Sequence, residues 1–106
     1  MGLLLCLNLK YQKYLLKKAF VAAVLYKQQE MYEESLSYLM KLETIVRHDP
    51  NILYQLASVN ELLGDIDQAT EWYMQLLGII PSDPGVLHRL GLLMERERDT
   101  QLRTVF

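Results

Sequence analysis

Apolar residues recur at helical spacing along most of the chain, and no segment alternates convincingly between apolar and polar positions. The spacing predicts helices over 33–47, 51–63, 67–80 and 86–97. A long first helix is also predicted, in which apolar residues from Leu3 to Leu25 pack under the next helix while lysines face water. Pro50, Pro81 and Pro84 fall between predicted helices, where a missing N–H does no harm. The pattern therefore predicts an all-α fold.

The chain repeats itself at a shift of 34 residues, because Asp49-Pro50 recurs as Asp83-Pro84. The same shift relates further identical pairs: Leu53/Leu87, Leu56/Leu90, Glu61/Glu95, Asp65/Asp99, Ala23/Ala57, Met40/Met74, Leu42/Leu76 and Ile45/Ile79. This period is typical of solenoids built from helix-turn-helix units. The predicted organisation is a helical extension at 1–15, a degenerate first repeat at 16–49, a second repeat at 50–83, the first helix of a third repeat at 84–99 and a tail at 100–106. About two and a half repeats therefore follow the N-terminal helix.

The second repeat resembles the tetratricopeptide repeat. The matching positions are Leu53, Leu56, Ala57, Gly64, Asp65, Ala69, Tyr73, Leu76 and Pro81. Asn60 departs from the pattern, which prefers an aromatic residue there. The first repeat fits more loosely, and the third stops after its first helix. The resemblance implies a solenoid of paired helices that binds other proteins.

A more specific resemblance lies in the runs "LYQLA", "QATEWYMQLL", "IIPSD" and "LHRLG", together with "YEESLSYLMKLETIVR" before them. These runs are similar to the tetratricopeptide array of the intraflagellar transport protein 88 family. Family members are much longer, so this chain would correspond to a fragment or shortened form. The resemblance implies a non-enzymatic scaffold that binds subunits of intraflagellar transport complex B during cilium assembly. It also implies a cytoplasmic location at the cilium, basal body or centrosome.

Charge is distributed unevenly along the chain. Residues 1–29 carry five lysines and no acidic residue, whereas residues 30–106 carry six basic and thirteen acidic residues. The negative main body argues against a nucleic-acid partner, because phosphate binding needs a concentrated basic surface. The single cysteine, Cys6, excludes an internal disulfide framework and a zinc site built on several cysteines. No apolar run approaches the length of a membrane span, so we expect a soluble protein that is not secreted.

Three carboxylates near the second turn, Asp65, Asp67 and Glu71, raise the hypothesis of a calcium site. A calcium loop needs oxygen ligands at alternating positions, and Trp72, Tyr73 and Met74 stand where ligands would be required. The alternative is helix punctuation, in which Gly64 ends one helix, Asp67 caps the next and Glu71 lies in its early turns. We expect no metal and no cofactor.

No arrangement of residues indicates catalysis. His48 and His88 are distant in sequence and lack paired metal ligands, and Cys6 has no basic neighbour closer than Lys10. The beginning of the chain offers an alternative function, because Gly2 and Cys6 could carry acyl chains in front of the lysine-rich segment. Membrane contact is nevertheless not expected, since one long packed helix explains the same residues.

The first helix of each pair lines the concave groove in tetratricopeptide arrays, and the resemblance therefore assigns the partner-binding positions. These predicted groove residues are Lys17, Phe20, Val24, Lys27, Tyr54, Ser58, Glu61, His88, Leu92 and Glu95. Their mixture suits an extended or helical segment with one apolar anchor and charges of both signs. A generic tetratricopeptide adaptor or co-chaperone is the alternative, although Glu61 and Glu95 disfavour one that binds an acidic C-terminus.

Overall fold

The computed structural model describes the backbone of residues 2–105 and the side chains of residues 12–98. Over that range the chain forms five helices and no strand, which confirms the all-α prediction. The helices are α1 (Gly2–Gln28), α2 (Tyr32–Ile45), α3 (Pro50–Leu63), α4 (Ile66–Ile79) and α5 (Pro84–Val105). Each helix packs against the next in sequence, and α1 also contacts α3. The fold is a helical repeat of stacked helix-turn-helix units.

The starts of α3 and α5 are set by aspartates at equivalent repeat positions. Asp49 Oδ1 accepts hydrogen bonds from the backbone N–H groups of Asn51 at 2.9 Å and Ile52 at 3.4 Å. Asp83 Oδ1 accepts from Gly85 and Val86 at the same two distances. A side-chain oxygen at this position satisfies backbone donors that a helix start leaves without partners. The Asp-Pro pairs of the sequence are therefore helix starts.

The turn between α3 and α4 consists of the C-cap of α3 and the N-cap of α4. Gly64 ends α3 in the left-handed region at φ 87°, as predicted, where a glycine avoids the strain that a Cβ would cause. The predicted cap of α4 is wrong by two residues: Asp65, not Asp67, accepts a hydrogen bond from the Gln68 N–H at 3.2 Å. Asp67 instead lies in the first turn of α4. The reason is that the turn needs only one residue after Gly64, so α4 begins at Ile66.

Two hydrophobic cores repeat along the solenoid. The first core joins α1, α2 and α3 and contains Ala23, Leu39, Leu42, Ile52, Leu56 and Val59. The second joins α3, α4 and α5, and a shift of 34 residues converts the first set into Ala57, Tyr73, Leu76, Val86, Leu90 and Leu93, all members of it. Trp72 packs against both cores and joins them. The period of the sequence is thus the period of the packing.

Polar and aromatic contacts fix the first repeat where it departs from the tetratricopeptide pattern. Ser35 is buried at the position that Ala69 holds in the second repeat, and its hydroxyl donates to the Ala23 carbonyl at 2.7 Å. Tyr26 stacks on Tyr38, with ring centroids 5.5 Å apart. Ser35 therefore keeps the close approach of α1 and α2 while satisfying its own buried hydroxyl.

The last helix is longer than the sequence pattern predicted. Helical periodicity ends near residue 97, and residues 100–106 were expected to form a tail, yet α5 continues to Val105. The final segment contains neither proline nor glycine, so nothing in it stops a helix that has already begun.

Candidate functional site

The first helices of the repeat units, α1, α3 and α5, are connected by a row of polar contacts. Lys27 Nζ of α1 donates to Gln55 Oε1 of α3 at 3.1 Å. Arg89 Nη1 of α5 donates to Glu61 Oε1 of α3 at 3.4 Å. The other carboxylate oxygen of Glu61 accepts the Tyr73 hydroxyl of α4 at 3.1 Å. Glu61 thus holds α3, α4 and α5 together at one point, which we call the Glu61 junction.

The electrostatics of this row follow from partial burial. The pKa of Lys27 is lowered from its usual value, first by burial and then by the positive charge of Arg89, while Glu61 opposes the shift. The pKa of Tyr73 is raised, first by burial and then by the charge and hydrogen bond of Glu61. Tyr73 is therefore a hydrogen-bond donor at neutral pH, not an ionised group.

The predicted groove residues divide by exposure. Five are exposed, namely Lys17, Tyr54, His88, Leu92 and Glu95, and five are half-buried or nearly so, namely Phe20, Val24, Lys27, Ser58 and Glu61. The structure brings Lys27, Tyr54 and Glu61 to the row of polar contacts, since the Tyr54 ring packs edge-on against Tyr73 at a centroid distance of 6.2 Å. The exposed residues of α3 and α5 can meet a partner directly, whereas Lys27 and Glu61 serve first to join helices.

Lys17 and Phe20 lie away from this row. Both line a cavity of about 370 Å³ between α1, the end of α2 and the start of α3, where Leu42, Val46 and Ile52 form part of the apolar wall. Phe20 also packs against the first core. A second cavity, of about 480 Å³, lies between α1 and α2 and is lined by Leu15, Tyr38 and Ile45 among others. Lys17 and Phe20 therefore line a cleft that is separate from the Glu61 junction.

Three residues of the row, Gln55, Tyr73 and Arg89, are not among the predicted groove residues. Tyr73 is a position of the repeat pattern and its ring lies in the second core, but its hydroxyl reaches Glu61. Gln55 and Arg89 lie one repeat period apart, and each faces a residue 28 positions earlier. Two pairs of polar residues, each 28 positions apart and related by the repeat shift of 34, are visible in the sequence and could have indicated these contacts.

The carboxylates considered for a calcium site and the two histidines lie in turns or on exposed helix positions. Asp65 caps α4, and Asp67 and Glu71 are exposed. His48 adopts a left-handed backbone conformation at φ 62° in the turn before α3, while His88 is exposed on α5. Gly2 and Cys6, on which the lipid hypothesis rests, lie outside the residues whose side chains are described. Within the described part of the chain, no helix combines the length and apolarity that crossing a bilayer requires.

The five stacked helices, with side-chain contacts between α1, α3 and α5, are those of an all-α helical repeat protein. Residues 50–83 match the tetratricopeptide repeat family, and this stretch contains α3, α4 and the Glu61 junction. A tetratricopeptide repeat is therefore present, and such repeats are typically non-enzymatic scaffolds that bind other proteins. No curated protein matches the chain.

Proposed function

We propose that this protein is a non-enzymatic interaction module that binds a segment of another protein along the face formed by α1, α3 and α5. The observation that carries the proposal is the tetratricopeptide repeat at 50–83, whose first helix is tied on both sides to neighbouring first helices. A face held by such contacts keeps its shape, so a partner does not have to order it on binding.

The exposed side chains of this face indicate the kind of segment it binds. Tyr54 and Leu92 offer exposed apolar surface on α3 and α5, and the exposed His88 holds on α5 the position that Tyr54 holds on α3. Arg89, whose side chain is 48% exposed, and Glu95 add charges of opposite sign on α5. The matching segment is extended or helical, with one aromatic or aliphatic anchor and charges of both signs around it.

We further propose that the partners are subunits of intraflagellar transport complex B and that the protein acts at the cilium, basal body or centrosome in cilium assembly. Support for this part comes from the sequence runs "LYQLA", "QATEWYMQLL" and "LHRLG", which resemble the intraflagellar transport protein 88 family. In the structure these runs lie on α3, α4 and α5, so they cover the repeat that carries the face.

The test is affinity capture of the tagged full chain from ciliated cells, followed by mass spectrometry. The binding-face variant is Tyr54→Glu/His88→Glu, which places two carboxylates at equivalent positions of α3 and α5. The control variant is Gln68→Glu/Gln75→Glu, which adds the same two carboxylates at exposed positions of α4. Circular dichroism must show that both variants stay helical.

The expected result is that the wild type and the control recover complex B subunits, whereas the binding-face variant loses them. Equal recovery by all three proteins would refute the proposal that partners bind to this face. Recovery of partners from outside complex B, lost only in the binding-face variant, would support an interaction module and refute the ciliary part.

A further inference from the structure

One face of α5 is apolar and open, and its counterpart on α3 is fully covered. Leu53 and Ala57 of α3 are 0% exposed, and Asn60 is 5% exposed. The residues one period later are Leu87 at 51%, Gly91, which is exposed, and Met94 at 63%. A Cβ added to Gly91 would meet no atom within 4 Å. We call Leu87, Gly91 and Met94 the open face of α5.

The covering element on α3 is α4, and its contacts specify what fits such a face. Ala69, Tyr73 and Leu76 of α4 lie in the same core as Leu53 and Ala57. The small Ala69 permits close approach of the two helices, and the Tyr73 hydroxyl reaches Glu61 at the far end. Because a short turn joins them, α3 and α4 are antiparallel neighbours.

The open face of α5 keeps this set of features. Leu87 repeats Leu53, Gly91 replaces Ala57 with a still smaller residue, and Glu95 repeats the acceptor Glu61. Met94 replaces Asn60, whose amide bonds to the Leu56 carbonyl of its own helix at 2.8 Å. The α5 face is therefore at least as apolar as the α3 face, and it offers the same carboxylate at the same register.

The α1 end of the array does not offer a comparable apolar surface to another helix. Ile52 of α3 and Val86 of α5 are buried where each first helix stacks on the preceding second helix. One period before Ile52 stands Lys18, which is exposed, with its ammonium 5.1 Å from the centre of the Tyr14 ring. A charge at the stacking position opposes burial under another helix, because desolvation of the charge is unfavourable. Stacking can therefore continue beyond α5 but is disfavoured before α1.

We propose that the open face of α5 binds an amphipathic helix of the α4 type from a partner protein, antiparallel to α5. Such a helix has a small residue against Gly91, a tyrosine four positions later that donates to Glu95, and an apolar residue three positions after the tyrosine. The binding continues the α1·α2 and α3·α4 interfaces as a third pair. This surface lies beside the face proposed above and shares Glu95 with it, but Leu87, Gly91 and Met94 belong to the open face alone.

The probe is a labelled synthetic peptide with the α4 sequence, residues 66–79, titrated with the full chain and followed by fluorescence anisotropy. Saturable binding is expected. Met94→Glu should weaken it by roughly tenfold or more, because the new carboxylate would be buried without a partner. The matched control, Met74→Glu, makes the same substitution at a methionine of α4 that is 56% exposed and should leave the affinity unchanged.

A double-mutant comparison tests the predicted hydrogen bond. The peptide with Tyr73→Phe should bind the wild-type chain about three- to tenfold more weakly, the usual effect of losing one hydrogen bond. With the Glu95→Gln chain, the Tyr73→Phe peptide and the unmodified peptide should bind about equally well. The reason is that the carboxylate acceptor is already absent from that chain.

Three outcomes would overturn the proposal. Absence of saturable binding would show that the open face does not accept this helix. Equal binding by the wild type and Met94→Glu would place the peptide elsewhere, including exchange with α4 itself. Self-association of the wild type that excludes the peptide and is abolished by Met94→Glu would assign the face to a second copy of the chain.

Discussion

Arg89 Nη1 lies 3.4 Å from Glu61 Oε1, and this pair repeats the contact between Lys27 and Gln55 one period earlier. The two contacts join residues separated by 28 positions, and a shift of 34 residues carries the first pair onto the second. Lysine is replaced by glutamate and glutamine by arginine, so the position of the contact is kept while its polarity is reversed. Backbone geometry therefore sets where first helices meet, and the side chains there need only be complementary.

Glu61 should contribute more to stability than Arg89 does, although they form one ion pair. Glu61→Ala removes the acceptor of the Tyr73 hydroxyl as well as the ion pair, and we expect a loss of about 1–2 kcal/mol in the free energy of unfolding. Arg89 is 48% exposed, so Arg89→Ala should cost only about 0.5 kcal/mol after screening by solvent. Urea unfolding at neutral pH measures both values, and equal losses would contradict the Glu61 junction.

Tyr73 should make the fold sensitive to alkaline pH. Its folded pKa lies above the ordinary value of 10.0, so the protonated hydroxyl is favoured by folding. The corresponding stability is complete below pH 10 and is lost as the pH rises above about 10, because the unfolded chain then releases the proton more readily. Tyr73→Phe should lose less unfolding free energy than the wild type between about pH 8 and pH 11.

Lys27 acts in the opposite direction over the same pH range. Its folded pKa is lowered, so its charged form is disfavoured in the fold and this penalty is relieved as the pH rises. Both proteins of the comparison retain Lys27, and the effect cancels in the difference between them. Identical pH dependence in the wild type and Tyr73→Phe would show that neither burial nor Glu61 raises the pKa of the Tyr73 hydroxyl in the fold.

Leucines at equivalent positions should respond differently to truncation. Leu53→Ala removes a side chain that is completely buried between α3 and α4, and it should cost about 2–5 kcal/mol. Leu87→Ala, at the equivalent position on the open face of α5, should cost about 0.5 kcal/mol or less, as is usual for exposed sites. Chemical denaturation of the two variants provides the measurement. A large loss for Leu87→Ala would mean that the open face is covered in solution.

The same substitution, glycine to alanine, should have opposite effects at Gly64 and Gly78, because their backbone conformations differ. Gly64→Ala should destabilise the chain by about 1 kcal/mol, because φ 87° strains a residue that has a Cβ. Gly78→Ala should stabilise it by about 0.5–1 kcal/mol, since Gly78 lies within α4 and a Cβ there would meet no atom within 4 Å. Thermal unfolding should therefore shift in opposite directions, and a shift of the same sign in both would contradict the assigned turn.

The regular part of the fold could be predicted from individual residues. The sequence predicts that Gly64 ends one helix and that Pro50 and Pro84 lie between helices. The structure ends α3 at Gly64, as predicted, but both prolines are the first residues of α3 and α5, because proline is tolerated at a helix start. The assignment of the α4 cap to Asp67 was wrong because Asp65 and Asp67 are both suitable capping residues. Only the tightness of the turn after Gly64 selects between them.

The positions of the residues on the proposed binding face could be predicted only in part. Lys27 and Glu61 were selected as groove residues, yet their side chains are engaged in contacts between helices. Lys17 and Phe20 were placed in the same groove, but they line a separate cleft beside α2 and α3. Periodicity assigns a residue to one side of a helix, whereas the curvature and tilt of neighbouring helices decide which residues on that side meet.

Local propensity and the spacing of apolar residues are enough to predict the helices and the 34-residue period, and the two cores repeat with that period. The contacts of Glu61 with three helices and the exposure of Leu87, Gly91 and Met94 depend instead on how the helices pack. Equivalent positions such as Leu53 and Leu87 look the same in the sequence. They differ in the fold because burial depends on whether another helix lies opposite, and this is a property of the assembled array.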